Sequence, residues 1–156
     1  MKSGGVMRKI FKRTSLLLVV FIFILAISVT AMGAEKKKVI EGTCGKEATW
    51  KYNKELKTLT IEGRGTISGD EEWWYLDIEE VKIKDGIKKI GAYAFSEMEQ
   101  VKMVTIPDSV KVIGNGAFNE SSITRVTIGK NVKEIGQSVF AYCNKLTSIT
   151  IPDSVT

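Results

Sequence analysis

The sequence predicts an α/β repeat protein: a solenoid of short parallel strands and one-turn helices, preceded by a leader and an N-terminal β cap. Three observations support this. The chain opens with basic residues and an apolar run, continues with a segment that contains Trp and Gly, and then repeats one apolar pattern to its end. The isoleucines that open each unit, at 83, 106, 128 and 151, stand 22 or 23 residues apart. Periods of this length are typical of solenoids, whose units bury apolar side chains only by stacking.

Residues 1–34 predict a signal peptide. Basic residues and no acids precede an unbroken apolar run at 16–27, and small residues follow it, including Ala31 and Gly33. This order is typical of secretory signal peptides and favours cleavage near residues 31–34. An uncleaved membrane anchor is the alternative, since the apolar stretch extends to about 17 residues, the lower limit of a membrane span. We therefore expect a secreted or cell-surface protein.

The remainder of the chain is electrically balanced. The whole sequence has 23 Lys+Arg against 18 Asp+Glu, and five basic residues of the leader account for the excess. Because nucleic-acid binding needs a basic footprint on the folded domain, we expect no nucleic-acid partner. The sequence also has no His, the commonest catalytic base and metal ligand. We therefore expect neither catalysis nor a metal or other cofactor.

Residues 35–80 are predicted to form the N-terminal cap together with a first strand. Ile61 stands 22 residues before Ile83, which places both in equivalent positions of one sheet. Trp50 and Tyr52 are expected to cover the apolar end of the stack, since the open ends of a solenoid need closure.

Residues 81–156 are predicted to form repeats of 22–23 residues, the last of them incomplete. Alternating apolar and polar residues around each leading Ile predict a short strand, and stacked coils make one parallel sheet of these strands. Pro-Asp-Ser then predicts a turn. The glycine that follows indicates a corner that needs positive φ or close backbone approach. The Ala-Phe pair after it predicts about one helical turn, with the Phe side chain pointing inward. The repeated units are Ile83-x3-Ile87-x2-Ile90-Gly91-x2-Ala94-Phe95, Ile106-x3-Val110-x2-Ile113-Gly114-x2-Ala117-Phe118 and Ile128-x3-Val132-x2-Ile135-Gly136-x2-Val139-Phe140.

Residues 81–156 resemble the BspA-like leucine-rich repeats of bacterial surface proteins. The resemblance is carried by the strings Thr105-Ile106-Pro107-Asp108-Ser109-Val110 and Cys143-x2-Leu146-Thr147-Ser148-Ile149-Thr150-Ile151-Pro152-Asp153-Ser154-Val155. It departs from the family where Met98 and Ser121 replace a frequent Cys, and where Gly129-Lys130-Asn131 replaces Pro-Asp-Ser. The resemblance implies a leucine-rich-repeat solenoid that adheres to a protein or glycan macromolecule on a host or neighbouring cell.

Two places are candidates for binding. Trp73 and Trp74 are adjacent aromatics, so one is expected to be exposed as a binding anchor unless it packs in the cap. The other candidate is the outward face of the parallel sheet, because solenoids present extended surfaces to partners. Its expected rows are Glu80, Met103, Arg125 and Ser148 beside Lys82, Thr105, Thr127 and Thr150.

Cys44 and Cys143 are expected to be separate, buried, structural thiols; for Cys44, intermolecular or redox reactivity is the alternative. Three coils between them correspond to about 15 Å, whereas bridged Cα atoms lie within about 7 Å. The fourth repeat is expected to leave the C-terminal end uncapped, which favours either self-association through that end or a truncated reading frame. In the second case the chain is the N-terminal repeat segment of a larger surface protein or exported enzyme.

Overall fold

The structure, a computed structural model, describes residues 38–68, 73 and 75–156. The predicted leader and Trp74 lie outside these residues. The described residues form strands and turns but no helix. The strands are β1 (Val39–Thr43), β2 (Glu47–Asn53), β3 (Thr58–Ile67), β4 (Glu80–Ile83), β5 (Ile87–Ile90), β6 (Met103–Ile106), β7 (Val112–Ile113), β8 (Arg125–Ile128) and β9 (Glu134–Ile135).

Strand β3 joins the N-terminal hairpin to the solenoid. Strands β1 and β2 pair antiparallel, and β2 pairs antiparallel with β3. The first half of β3 then pairs parallel with β4 and its last residues pair parallel with β5. Two parallel rows of strands continue from it, β4–β6–β8 and β5–β7–β9. The sequence predicted the first row and missed the second.

The register of the first row follows the repeat period. Leu59 pairs with Val81 and Ile61 with Ile83, as the spacing predicts. The same register continues from Val81 to Val104 and on to Val126. Each inward position therefore becomes a row of apolar side chains along the solenoid, and burial of each large one contributes roughly 1.5–3 kcal/mol.

The strand predicted around Ile149 and Ile151 is wrong, since these residues lie in irregular structure. Ile151 is 46% exposed, so the burial that fixes the register of the earlier strands is lacking there. The backbone nevertheless stays attached to the preceding coil, because Thr156 N–H donates to the Lys133 carbonyl at 3.0 Å.

The predicted one-turn helices are also wrong. Residues 91–98, 114–121 and 136–143 form successive turns instead, which we call the turn side of each coil. Five non-glycine residues on this side have φ values of 56–59°, far from the helical value of about −63°; they are Tyr93, Glu97, Glu120, Ser138 and Tyr142. Alternate backbone donors of the turn side bond carbonyls of the next coil, as in Tyr93 to Asn115 at 3.0 Å and Phe95 to Ala117 at 2.8 Å. With these donors committed to a neighbouring coil, the i→i−4 bonds of an α-helix cannot form.

An aromatic stack runs along the turn side, which confirms that the repeat phenylalanines point inward. Phe95 and Phe118 have ring centroids 5.3 Å apart, and Phe118 and Phe140 5.6 Å apart, with nearly parallel planes. Trp73 continues the stack at 5.9 Å from Phe95 and meets Trp50 edge-on at 5.5 Å. Such pairs contribute about 0.5–1.5 kcal/mol beyond their buried area.

The repeat glycines mark a close approach of two coils. A Cβ on Gly114 would lie 2.6 Å from the Ala92 nitrogen, and one on Gly136 would lie 2.7 Å from the Asn115 nitrogen. Neither glycine has positive φ. Of the two reasons that the sequence left open for this corner, close backbone approach is therefore the one that applies.

Candidate functional site

The first face consists of the outward side chains of β4, β6 and β8. Parallel pairing aligns Met103 with Arg125 and Thr105 with Thr127. All four are exposed, Met103 by 42%. Successive strands lie about 4.8 Å apart, so the face is a grid in which each outward residue has a neighbour in an adjoining coil.

At one end of the first face the charged side chains form an ion pair, and at the other end they form none with the described residues. At β4 the Glu80 carboxylate contacts the Lys82 ammonium at 2.9 Å and accepts a hydrogen bond from Thr58 Oγ1 at 3.3 Å. Arg125, at β8, makes no ion pair within the described part of the chain. A guanidinium with free donors therefore stands beside an exposed thioether, a combination of directional and adaptable contacts.

The structure does not bring all the predicted binding residues together. Thr150 is exposed but belongs to no strand, so it does not extend the row of Thr105 and Thr127. Trp73 is only 4% exposed, and its Nε1–H donates to the Ala94 carbonyl at 2.6 Å. The hypothesis that Trp73 is an exposed anchor is therefore wrong, because its ring is the end of the aromatic stack.

A second face consists of the outward side chains of β5, β7 and β9 and of the residues that directly precede β7 and β9. Lys111 N–H donates to the Lys88 carbonyl and Lys133 N–H donates to the Lys111 carbonyl, both at 2.8 Å. The three residues therefore occupy one row, and all are exposed. Sequence reasoning missed this row, although each lysine directly follows an equivalent buried residue of its repeat at 87, 110 and 132.

The two thiols have a structural role. Neither Cys44 nor Cys143 forms a disulfide and both are buried, as predicted. Cys143 Sγ–H donates to the Phe118 carbonyl at 3.1 Å, just as Ser121 Oγ–H donates to Phe95 at 2.9 Å one coil earlier. Burial raises the pKa of the Cys143 thiol, which disfavours the nucleophilic thiolate.

Neither a metal site nor a membrane-spanning helix is seen in the described ranges. No group of three or more His, Cys, Asp or Glu side chains there is placed to hold a metal ion. The same residues contain no helix long and apolar enough to cross a membrane.

These features place the protein in the class of repeat scaffolds, which stack short units and display extended surfaces. The family model for the BspA type leucine rich repeat region matches residues 66–156 in six copies. The chain belongs to this family.

The fold is similar to that of a leucine-rich repeat protein from Eubacterium ventriosum ATCC 27560, known from a crystal structure. The two share 25% sequence identity with a TM-score of 0.68, and the match covers 76% of this chain. It covers 33% of the other chain, so the present chain spans about a third of that protein's length. Among curated proteins, none matches the sequence significantly.

Proposed function

We propose that the protein is an exported, non-catalytic module that binds a protein partner through the first face. The observation that carries the proposal is the in-register, exposed grid of β4, β6 and β8, which ends at the unpaired Arg125 beside Met103. Leucine-rich repeats typically serve as protein-binding scaffolds, and the family membership supports the same role here.

The chemistry of the first face suits a protein surface. Arg and Met are enriched at the centres of protein interfaces, where Arg is also among the residues that contribute most to affinity. Thr105 and Thr127 are short and flank this pair, so they allow a partner to approach the sheet closely. We infer that Met103 and Arg125 lie at the centre of the interface and the threonines at its side.

Binding to a panel of purified matrix proteins and to intact host cells tests this role. We expect Arg125→Glu to weaken binding by about tenfold or more, as is usual at the centre of an interface. Lys145→Glu is the matched control, because it makes the same charge change at an exposed lysine without an ion pair. Equal losses from the two variants, or no binding by the parent protein to any of these targets, would contradict the proposal.

Export rests on the leader, and adhesion at the cell surface rests on the family resemblance. The intact mass of the native product, measured in culture medium and in the cell envelope, tests both export and processing. We expect a chain starting between residues 32 and 35. A product that retains residue 1 and stays inside the cell would overturn the export proposal.

The alternative role is that of a repeat segment within a larger surface protein or exported enzyme. One observation favours it, namely that the structurally similar protein is about three times as long as the matched region. A native mass above that of 156 residues would support this alternative and direct the search for activity to the additional segment.

A further inference from the structure

The second face carries one lysine in each of three successive coils, Lys88, Lys111 and Lys133. Backbone bonds of 2.8 Å hold each directly beside the next, at the inter-strand spacing of about 4.8 Å. All three are exposed. The three residues therefore form a row of exposed lysines along the solenoid, here called the lysine ladder.

The lysine ladder has no carboxylate partner of its own. None of its members makes an ion pair with a described residue, whereas Lys57 and Lys102 elsewhere both contact Glu79. Like charges in neighbouring strand positions destabilise a sheet. The three lysine side chains therefore do not stabilise the fold, so stability does not account for their presence in one row.

The surroundings leave the ladder positive. Lys89 adds a fourth positive charge in the adjacent row, against Glu134 in these strands and the exposed Asp85 in the turn that precedes β5. In the turn that precedes β7, Asp108 lies 3.6 Å from the Lys130 ammonium and accepts a hydrogen bond from the Lys130 backbone at 2.9 Å. The carboxylate of that turn is thus already engaged with another residue.

We propose that the second face binds an acidic polysaccharide, whose chain lies along the lysine ladder. A stiff, linear sugar chain with a carboxylate or sulfate group on successive units is complementary to a row of positive charges. Lysine suits this ligand because its ammonium is a compact point charge that needs no bidentate geometry. The site is separate from the first face and does not depend on the function proposed there.

Other polyanions fit the ladder less well. An extended acidic peptide places side chains of one face about 6.8 Å apart, two residues along its strand, against about 4.8 Å for the ladder. Single-stranded nucleic acid is held by stacking of bases on aromatic side chains, and strands β5, β7 and β9 contain none.

The test measures binding of the full chain to a heparin decasaccharide at about 50 mM and 200 mM NaCl, with neutral dextran of the same length as ligand control. The ladder variant is Lys88→Gln/Lys111→Gln/Lys133→Gln. Its matched control is Lys46→Gln/Lys54→Gln/Lys145→Gln, which removes the same charge from three exposed lysines that are dispersed and make no ion pair. Because all six side chains are exposed, both variants are expected to fold, which thermal melting verifies.

We expect the parent protein and the control variant to bind heparin in a salt-dependent manner, and the ladder variant to lose at least about tenfold in affinity at low salt. Neutral dextran should not bind. Equal losses in the two variants would show that net charge alone is responsible and would overturn the proposal. So would absence of heparin binding by the parent protein, or tighter ladder-dependent binding of a DNA duplex of about 20 base pairs.

Discussion

The two sides of each coil are held together differently. On the strand side, apolar residues such as Val81, Val104 and Val126 stack in register, and the backbone stays in the ordinary extended region. On the turn side, non-glycine residues such as Tyr93 and Ser138 have positive φ, a conformation that costs of order 1–3 kcal/mol per residue. The turn side therefore needs strong packing to remain folded, and the aromatic stack supplies it.

This difference shows how the stacking of repeats overrides the backbone conformation that a segment would prefer on its own. An isolated segment must satisfy its donors within itself, which favours a helical turn for a sequence such as Gly91–Met98. A stacked coil can instead donate to the next coil, as Phe95 does to Ala117. The turn-side conformation is thus a property of neighbouring coils together with their rings.

The largest expected effect comes from removing a ring at the centre of the stack. Phe118 is 1% exposed and stacks on both Phe95 and Phe140. We expect Phe118→Ala to lower the free energy of unfolding by about 3–5 kcal/mol, measured by urea denaturation. On the strand side, Ile106→Val at a similarly buried position should cost about 0.5–1.5 kcal/mol.

Phe118→Leu separates the contribution of ring stacking from that of apolar volume. It retains a large apolar side chain, so its cost should fall between those of Phe118→Ala and Ile106→Val. If Phe118→Ala costs no more than Ile106→Val, the aromatic stack is not what holds the turn side in place.

The sequence predicted the inward rows because they depend on side-chain period alone. Ile83, Ile106 and Ile128 fix the coil length, and the burial of apolar side chains enforces it. The turn-side backbone could not be predicted, because alternate donors, such as those of Tyr93 and Phe95, bond an acceptor about 22 positions away. For Trp73 the sequence left packing in the cap and exposure as alternatives, since its burial depends on Phe95 as a stacking partner, which no local pattern indicates.

The lysine ladder illustrates a third situation. Its three lysines share one position of the repeat, so they can be found by aligning the repeats. The near-zero net charge of the chain after the leader gives no indication of them. Net charge averages over the whole surface, whereas a solenoid brings equivalent positions to within about 4.8 Å of each other. In repeat proteins the charge of each row of equivalent positions therefore indicates a charged surface better than the net charge of the chain does.

Introducing glycine should have opposite effects on the two sides. Ser138 is exposed and has a φ of 56°, and the equivalent residue one coil earlier is Gly116, with a φ of 60°. Relief of the left-handed conformation outweighs the entropy cost of glycine, so Ser138→Gly should stabilise the protein by about 0.5–1 kcal/mol. Thr127→Gly, at an exposed strand position, should destabilise it by about 1 kcal/mol.

Urea midpoints at unchanged slope measure both effects. If both variants are destabilised to the same extent, the positive φ of Ser138 carries no cost, and the distinction between the two sides fails at this position.

The smallest expected effect concerns an ion-pair cluster on the strand side. Glu79 accepts hydrogen bonds from Lys102 at 2.6 Å and Lys57 at 2.9 Å, residues that occupy the equivalent positions of the adjoining coils. These bonds, that from Lys102 first, lower the pKa of Glu79 from 4.5 to about 2. All three side chains of the cluster are partly open to solvent, so solvent screens the charges and their contribution to stability is small.

The direction of the pH dependence follows from that lowered pKa. Since the folded protein holds the Glu79 proton more weakly than the unfolded chain does, the cluster stabilises the fold above pH 4.5 and loses this effect as the pH falls towards 2. The difference in urea midpoint between the parent protein and Glu79→Gln should therefore shrink between these two values. Glu99→Gln is the control, because Glu99 is exposed without an ion pair, and its difference should stay near zero throughout. A Glu79→Gln difference that is constant with pH would mean that the two lysines do not stabilise the carboxylate, and that backbone bonding and apolar rows alone hold the strand side together.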